Sequence, residues 1–175
     1  DQAYKRVAYQ PAFEKETTPY AYLMEWQSIE DAKFLGALLN HKIKVRFANK
    51  TFELEGKKYG LGTLIITRAD NRKNVKFESI VTDLARQFER NITAVETGFT
   101  STGFDLGSDG NHLVAAPGIA ILQDGQTSEN SFGFVWHYFE NVLGYPVTIL
   151  PLDNFKNADL RKYNLIILPD GSYDT

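Results

Sequence analysis

His137 and Glu140 make the single H-x-x-E in the chain, in the run HYFE. On a helix, side chains three apart share a face about 5 to 6 Å from one another, and this is how some metallopeptidases present two of their three zinc ligands. The surrounding residues argue against that chemistry. Phe132, Val135, Trp136, Phe139, Val142 and Leu143 recur at i, i+3, i+4, i+7, i+10 and i+11, a single apolar stripe. At about 100° per residue, His137 falls about 160° from the centre of that stripe and Glu140 about 100° from it, so both are expected on the solvated side. A third ligand would have to converge from elsewhere, yet no histidine follows His137, and His41 and His112 stand at no motif spacing to it. The pair is therefore read as ordinary helix surface.

Other catalytic signatures are missing as well. The chain has no G-x-S-x-G elbow, no Walker loop and no G-x-G-x-x-G between a strand and a helix. It also lacks cysteine, which removes thiolate nucleophiles, Cys-based metal sites and disulfides. The best candidate is the loop Asp124, Gly125, Gln126, Thr127, Ser128, which joins an apolar strand to the start of a helix. Free backbone N–H groups at a helix N-terminus attract anions, and ligands of open α/β sheets gather at the carboxyl ends of strands. Asp170 and Gly171 end the last apolar run and are expected on the same edge. If the edge is catalytic, Asp124, Glu129 and Asp170 are the groups able to divide acid and base roles. The plainer reading makes Asp124-Gly125 a tight turn and Thr127 or Ser128 a cap. The sequons at Asn49 and Asn91 are read as chance.

Composition sets the class. With 175 residues, 43% hydrophobic and 13% aromatic, the chain can build a sizeable core. Its 19 basic and 22 acidic residues are mixed, with no basic run longer than two, so no nucleic-acid footprint is expected. No apolar stretch approaches the 18 or so residues of a membrane span, and the start DQAYKRVAYQ lacks the apolar core of a signal peptide.

Along the chain the hydrophobic period switches between two and 3.6, the pattern of an α/β protein. After a polar leader, residues 20–26 predict a strand, and Ser28 with Asp31 predicts a capping box on a helix burying Ala32, Leu35, Leu38 and Leu39. IKVRFA alternates, which places Ile43, Val45 and Phe47 inside and Lys44 and Arg46 on a wet face. A hairpin is expected to turn at Glu55-Gly56, followed by a buried strand at 62–67. Asn74 is the expected cap of a second helix carrying Phe77, Ile80, Val81, Leu84, Ala85 and Phe88, with a strand at 92–95 after it. Residues 97–116 hold four glycines and read as a loop that crosses between subdomains, the alternative being cover for a site. From Pro117 a strand, a helix from Ser128 ending near Gly144, a strand, a short helix near 158–162 and a last strand predict a parallel, doubly wound sheet. The expected division is a mixed-sheet α/β subdomain over 1–108 and a flavodoxin-like unit over 109–175. That second unit looks cut short, because its last strand is apolar without alternation and nothing follows to cover it.

The run GTLIITRADN, the TGFTSTGFDLGS loop, and then GIAILQDGQTSENSFGFVWHYFENVLGYPVTIL and YNLIILPDGSY resemble the region that follows the catalytic domain in bacterial zinc carboxypeptidases of the carboxypeptidase A type. The resemblance runs from about Tyr20 onward and rests on strand, loop and helix patterns rather than catalytic motifs. In that family the C-terminal portion looks like a class I glutamine amidotransferase-like, flavodoxin-like domain. The resemblance implies a noncatalytic accessory region of a secreted or periplasmic protein, packing on the peptidase domain of the same polypeptide or binding a peptide, glycan or small anion. Zinc is expected only in the preceding catalytic domain, so no position here inherits a ligand role and no cofactor is expected in this chain. Glutamine amidotransferases use a cysteine nucleophile, so that activity does not carry over. Self-association through an incomplete sheet is a further expectation. The rival reading is an independent α/β hydrolase or ligand-binding domain.

Overall fold

The computed structural model describes residue 9 and residues 18–173, so most of the polar leader lies outside the described residues. The chain forms two compact units, Asp1–Val114 and Ala115–Thr175.

In the first unit β1 (Ala21–Met24), α1 (Ile29–Asn40), β2 (Arg46–Phe47), β5 (Leu64–Thr67), α2 (Phe77–Gln87) and β6 (Thr93–Val95) make the frame, with a hairpin of β3 (Phe52–Leu54) and β4 (Lys57–Tyr59) set between β2 and β5. The main sheet has the order β6-β1-β5-β2, extended by β7 (His112–Leu113) beyond β2. Every pairing in it is antiparallel. Each helix therefore connects two strands that run the same way with a third between them, the split β-α-β arrangement of ferredoxin-like folds. This corrects the expected mixed sheet. The hydrophobic period identifies strands and crossover helices but does not say whether another strand slips between the two that a helix joins.

Both faces of that sheet are covered, which explains why β1 and β5 are buried at every position. Tyr22, Met24, Leu64 and Ile66 face the helices and pack with Phe34, Leu38, Phe77 and Val81. Ala21, Leu23 and Ile65 face the other way, onto Phe52, Leu54, Tyr59 and Leu106. Ser28 and Asp31 form the capping box on α1. Glu55 and Gly56 both take positive φ, 51° and 76°, as a two-residue hairpin turn demands. Asn74 is not the cap of α2. Lys76 holds that position, and the Asn74 Oδ1 accepts the Lys76 N–H at 3.0 Å one step earlier.

The wet face expected for Arg46 is also corrected. Lys44 is exposed, but Arg46 is half-buried and forks onto Asp70. Its Nη1 donates to the carbonyls of Ser108 and Asn111, each at 3.0 Å. Those bonds, the buried Leu106, and the Glu53–Thr102 bridge fasten the glycine-rich loop to the first unit.

The second unit runs β8 (Ile119–Gln123), α3 (Glu129–His137), β9 (Thr148–Pro151), α4 (Leu152–Phe155), a 3-10 turn at Leu160–Lys162 and β10 (Leu165–Ile167). Its sheet is parallel, with order β10-β8-β9. β8 is central and buried, while β9 and β10 are edges. α3 passes directly into a π-helical stretch, Tyr138–Leu143, closed by Gly144 at φ 64°. That change of pitch breaks the 100° projection. Trp136, expected on the buried stripe, is 40% exposed, although it lies in the regular α-helical part before that change. Glu140, expected in solvent, turns inward enough for its Oε1 to accept the Val147 N–H at 3.2 Å. His137 is exposed, as its position on the helix predicts.

Candidate functional site

The strand-end loop after β8 folds back on itself. The Thr127 N–H donates to the Asp124 carbonyl at 3.1 Å, and the Thr127 hydroxyl donates to the same oxygen at 2.7 Å. The Asp124 Oδ1 accepts the Gly125 N–H at 2.5 Å. Ser128 caps α3 by accepting the Ser131 N–H on its hydroxyl at 3.3 Å.

The second loop, after β10, docks directly onto the first. Thr127 and Gly171 form an antiparallel bridge. The Ser128 N–H donates to the Asp170 carbonyl at 2.7 Å, and the Ser172 N–H donates to the Gln126 carbonyl at 3.2 Å. The Asp170 N–H in turn donates to the Ser131 hydroxyl at 3.0 Å. Gly171 is required by this approach, because a Cβ there would sit 2.7 Å from the Thr127 Cα and 2.8 Å from the Gln126 carbonyl oxygen. The Tyr173 hydroxyl, donating to the Pro169 carbonyl, ties down the far side, and burial raises that phenol above its ordinary range, with Asp170 adding to the effect. The crevice between β8 and β10 is thus filled by backbone. The first N–H of the helix turn is occupied by a protein carbonyl, which leaves Glu129 and Asn130 as its orphan donors among the described residues.

The open space lies on the other side of β8. A cavity of about 480 Å³ is bounded by Asp124, Thr127, Glu129 and Phe132 from one loop and helix, and by Leu152 and Asp153 after β9. Asp124 and Glu129 reach it; Asp170 and Gly171 do not. Asp153 was not singled out from the sequence, although it follows an apolar strand as Asp124 and Asp170 do. The same strand-end rule would have found it. Glu129 and Asp170 are exposed, and Asp124 is half-buried with its carboxylate turned back on its own loop.

A larger cavity, about 590 Å³, lies in the first unit between the start of α1 and the end of β1. Its charges are matched internally. Arg90 bonds Asp31 at 3.1 Å, Lys57 bonds Glu25 at 3.1 Å, and Asp31 also accepts the N–H groups of Gln27 and Ser28 at 2.6 Å each. This is the architecture of a cap and its support.

Among the described residues no three His, Cys, Asp or Glu side chains group as a metal site. No helix among them is long and apolar enough to cross a membrane. Compared with family models, curated proteins and solved structures, the chain matches none.

Proposed function

We propose that the chain is a noncatalytic accessory region of a secreted or periplasmic zinc carboxypeptidase-like protein, whose role is to pack on the peptidase domain of the same polypeptide. The observation that carries this reading is the Thr127–Gly171 bridge. In an open parallel sheet the crevice at the strand ends is where a substrate is normally held, and here two loops fill it with their own backbone. The order β10-β8-β9 supports the flavodoxin-like part of the proposal, since in chain order it reads 2-1-3, the opening order of that fold. Exposed carboxylates at Glu129 and Asp170 lack the burial that would separate their acid and base roles.

The rival hydrolase reading has one observation in its favour, the cavity that brings Asp124 and Glu129 beside Asp153. Two assays on the purified chain separate them. The accessory reading expects no turnover of peptide or amide substrates, together with saturable binding to the peptidase domain encoded in the same reading frame. Turnover abolished by Asp124→Asn or Glu129→Gln would overturn it, as would the absence of any binding to that domain.

A further inference from the structure

Away from the strand-end loops, the first unit carries a depression of about 480 Å³ between the segment that follows α1 and the turn that follows β5. Four cations line it: Lys42, Lys44, Arg72 and Lys73. All four are exposed, and among the described residues none has an ion pair. The single carboxylate in the lining, Asp70, is held by Arg46 through Nε at 2.7 Å and Nη2 at 2.9 Å. In a chain of net charge −3 this is a local concentration of positive charge, in which Asp70, already forked by Arg46, is the one lining carboxylate among the described residues and also feels Lys44.

The walls are fixed. Asn71 is buried, and its side chain staples the two segments: Oδ1 accepts the Lys44 N–H at 2.7 Å, and Nδ2 donates to the carbonyls of Lys44 and Thr67, each at 2.9 Å. Thr67 donates its hydroxyl to Asp70 at 2.7 Å, which anchors the same turn. On the opposite wall the α1 terminus closes with Lys42 N–H on the Leu39 carbonyl and Ile43 N–H on the Leu38 carbonyl, both at 2.9 Å. The four cationic side chains therefore spring from backbone that does not need to be ordered on binding, which lowers the entropic cost of holding a ligand.

We infer that this depression, bounded by Lys42, Lys44, Arg72 and Lys73, is a binding site for a phosphate-bearing small molecule carrying at least two negative charges. Like charges gathered in one place repel one another, and an anion that neutralises them gains from all four at once. The concave shape and volume suit a small ligand, since pockets for such molecules span roughly 300 to 1,000 Å³. A phosphate monoester can be free in solution or presented by a lipid headgroup; the concavity favours the free form.

The test uses the whole chain at low ionic strength, with inorganic pyrophosphate as the probe and backbone amide resonances as the readout. Saturable shifts are expected at Lys44 and across residues 70–73, with affinity falling roughly five- to tenfold in the Arg72→Ala/Lys73→Ala variant and falling further as salt is added. Lys50→Ala and Lys57→Ala, outside the depression, should change nothing. Vesicles of phosphatidylcholine with phosphatidic acid form the second arm. Binding to those vesicles without a response to pyrophosphate would overturn the proposal in favour of a membrane surface. Absence of both responses, or shifts clustered elsewhere, would overturn it outright.

Discussion

Arg46 and Asp70 meet in a two-point fork, Nε to Oδ2 at 2.7 Å and Nη2 to Oδ1 at 2.9 Å, between residues that the sequence separates by a hairpin and a strand. The geometry is that of the stronger class of ion pair, two parallel charge-assisted bonds on a half-buried site. The Arg46 hydrogen bonds hold the Asp70 carboxyl below the usual carboxylate range, although partial burial works the other way. A carboxyl with a lowered folded-state pKa contributes stability above its unfolded value, about 4, and that contribution is lost as pH falls through the folded value. Asp70→Asn should therefore lower the stability of the first unit by roughly 2 to 3 kcal/mol at neutral pH, since Arg46 keeps its burial and loses its partner. The gap between the two proteins should narrow below about pH 4. Denaturant unfolding at pH 7 and pH 3 checks this, and a gap independent of pH would contradict it.

Arg46 also marks where the sequence stops being legible. Strict alternation in IKVRFA correctly puts Ile43 and Val45 inside, because burial of a face follows from the period. It assigns Arg46 to solvent, because the period carries no information about the loop over residues 97–116 that comes back to cover that side. The split order of the first sheet was hidden for the same reason: strand neighbours are set by tertiary packing. The capping box at Ser28 and Asp31, the turn at Glu55-Gly56 and the stripe on α2 were legible because each depends on contacts within a few residues. At the candidate site, the sequence placed Asp124 and Asp170 on one edge, but the backbone closure between their loops is a long-range contact with no local signature beyond Gly171 itself.

Gly171 provides the second prediction. An alanine there forces its Cβ into the backbone of Gln126 and Thr127, and overpacking of this kind costs about 1 to 3 kcal/mol. Gly171→Ala should weaken the second unit and accelerate hydrogen exchange at the Ser128 and Ser172 amides, which bridge the loops. Gly125→Ala, where a Cβ meets nothing within 4 Å, is the control and should leave exchange at both amides unchanged. Equal effects from the two substitutions would mean that the bridge is not what holds the loops together.

His137 and Glu140 separate by role. Glu140 accepts the Val147 N–H and so holds the turn that leads from the π-helical stretch into β9. Loss of that acceptor in Glu140→Ala should cost roughly 0.5 to 1.5 kcal/mol. His137→Ala should change neither the melting temperature nor the metal content of the purified chain. Elemental analysis finding one tightly bound zinc that disappears in His137→Ala would refute this.

The last prediction concerns the two open edges of the parallel sheet. Among the described residues β8 is paired on both sides, whereas β9 and β10 each have a strand partner on one side only, which leaves a row of N–H and C=O groups at each outer edge without a strand partner among those residues. Open edges of this kind template pairing with another chain unless charge, proline or a covering element blunts them. Pro151 ends β9 and removes one donor, but β10 reads LII, with Leu165 45% and the following Leu168 58% exposed. α3 adds Phe134 at 77% exposed. Apolar surface next to an unpaired edge favours association, because pairing the edge and covering the side chains occur together. The chain should therefore form concentration-dependent oligomers through the second unit, and Leu165→Lys should shift it toward monomer by placing a charge on the edge without touching the buried face of β8. Light scattering across a dilution series, with native chain and variant side by side, reads this directly. If the native chain stays monomeric throughout, or if Leu165→Lys associates as strongly as the native chain, β10 is not the surface involved.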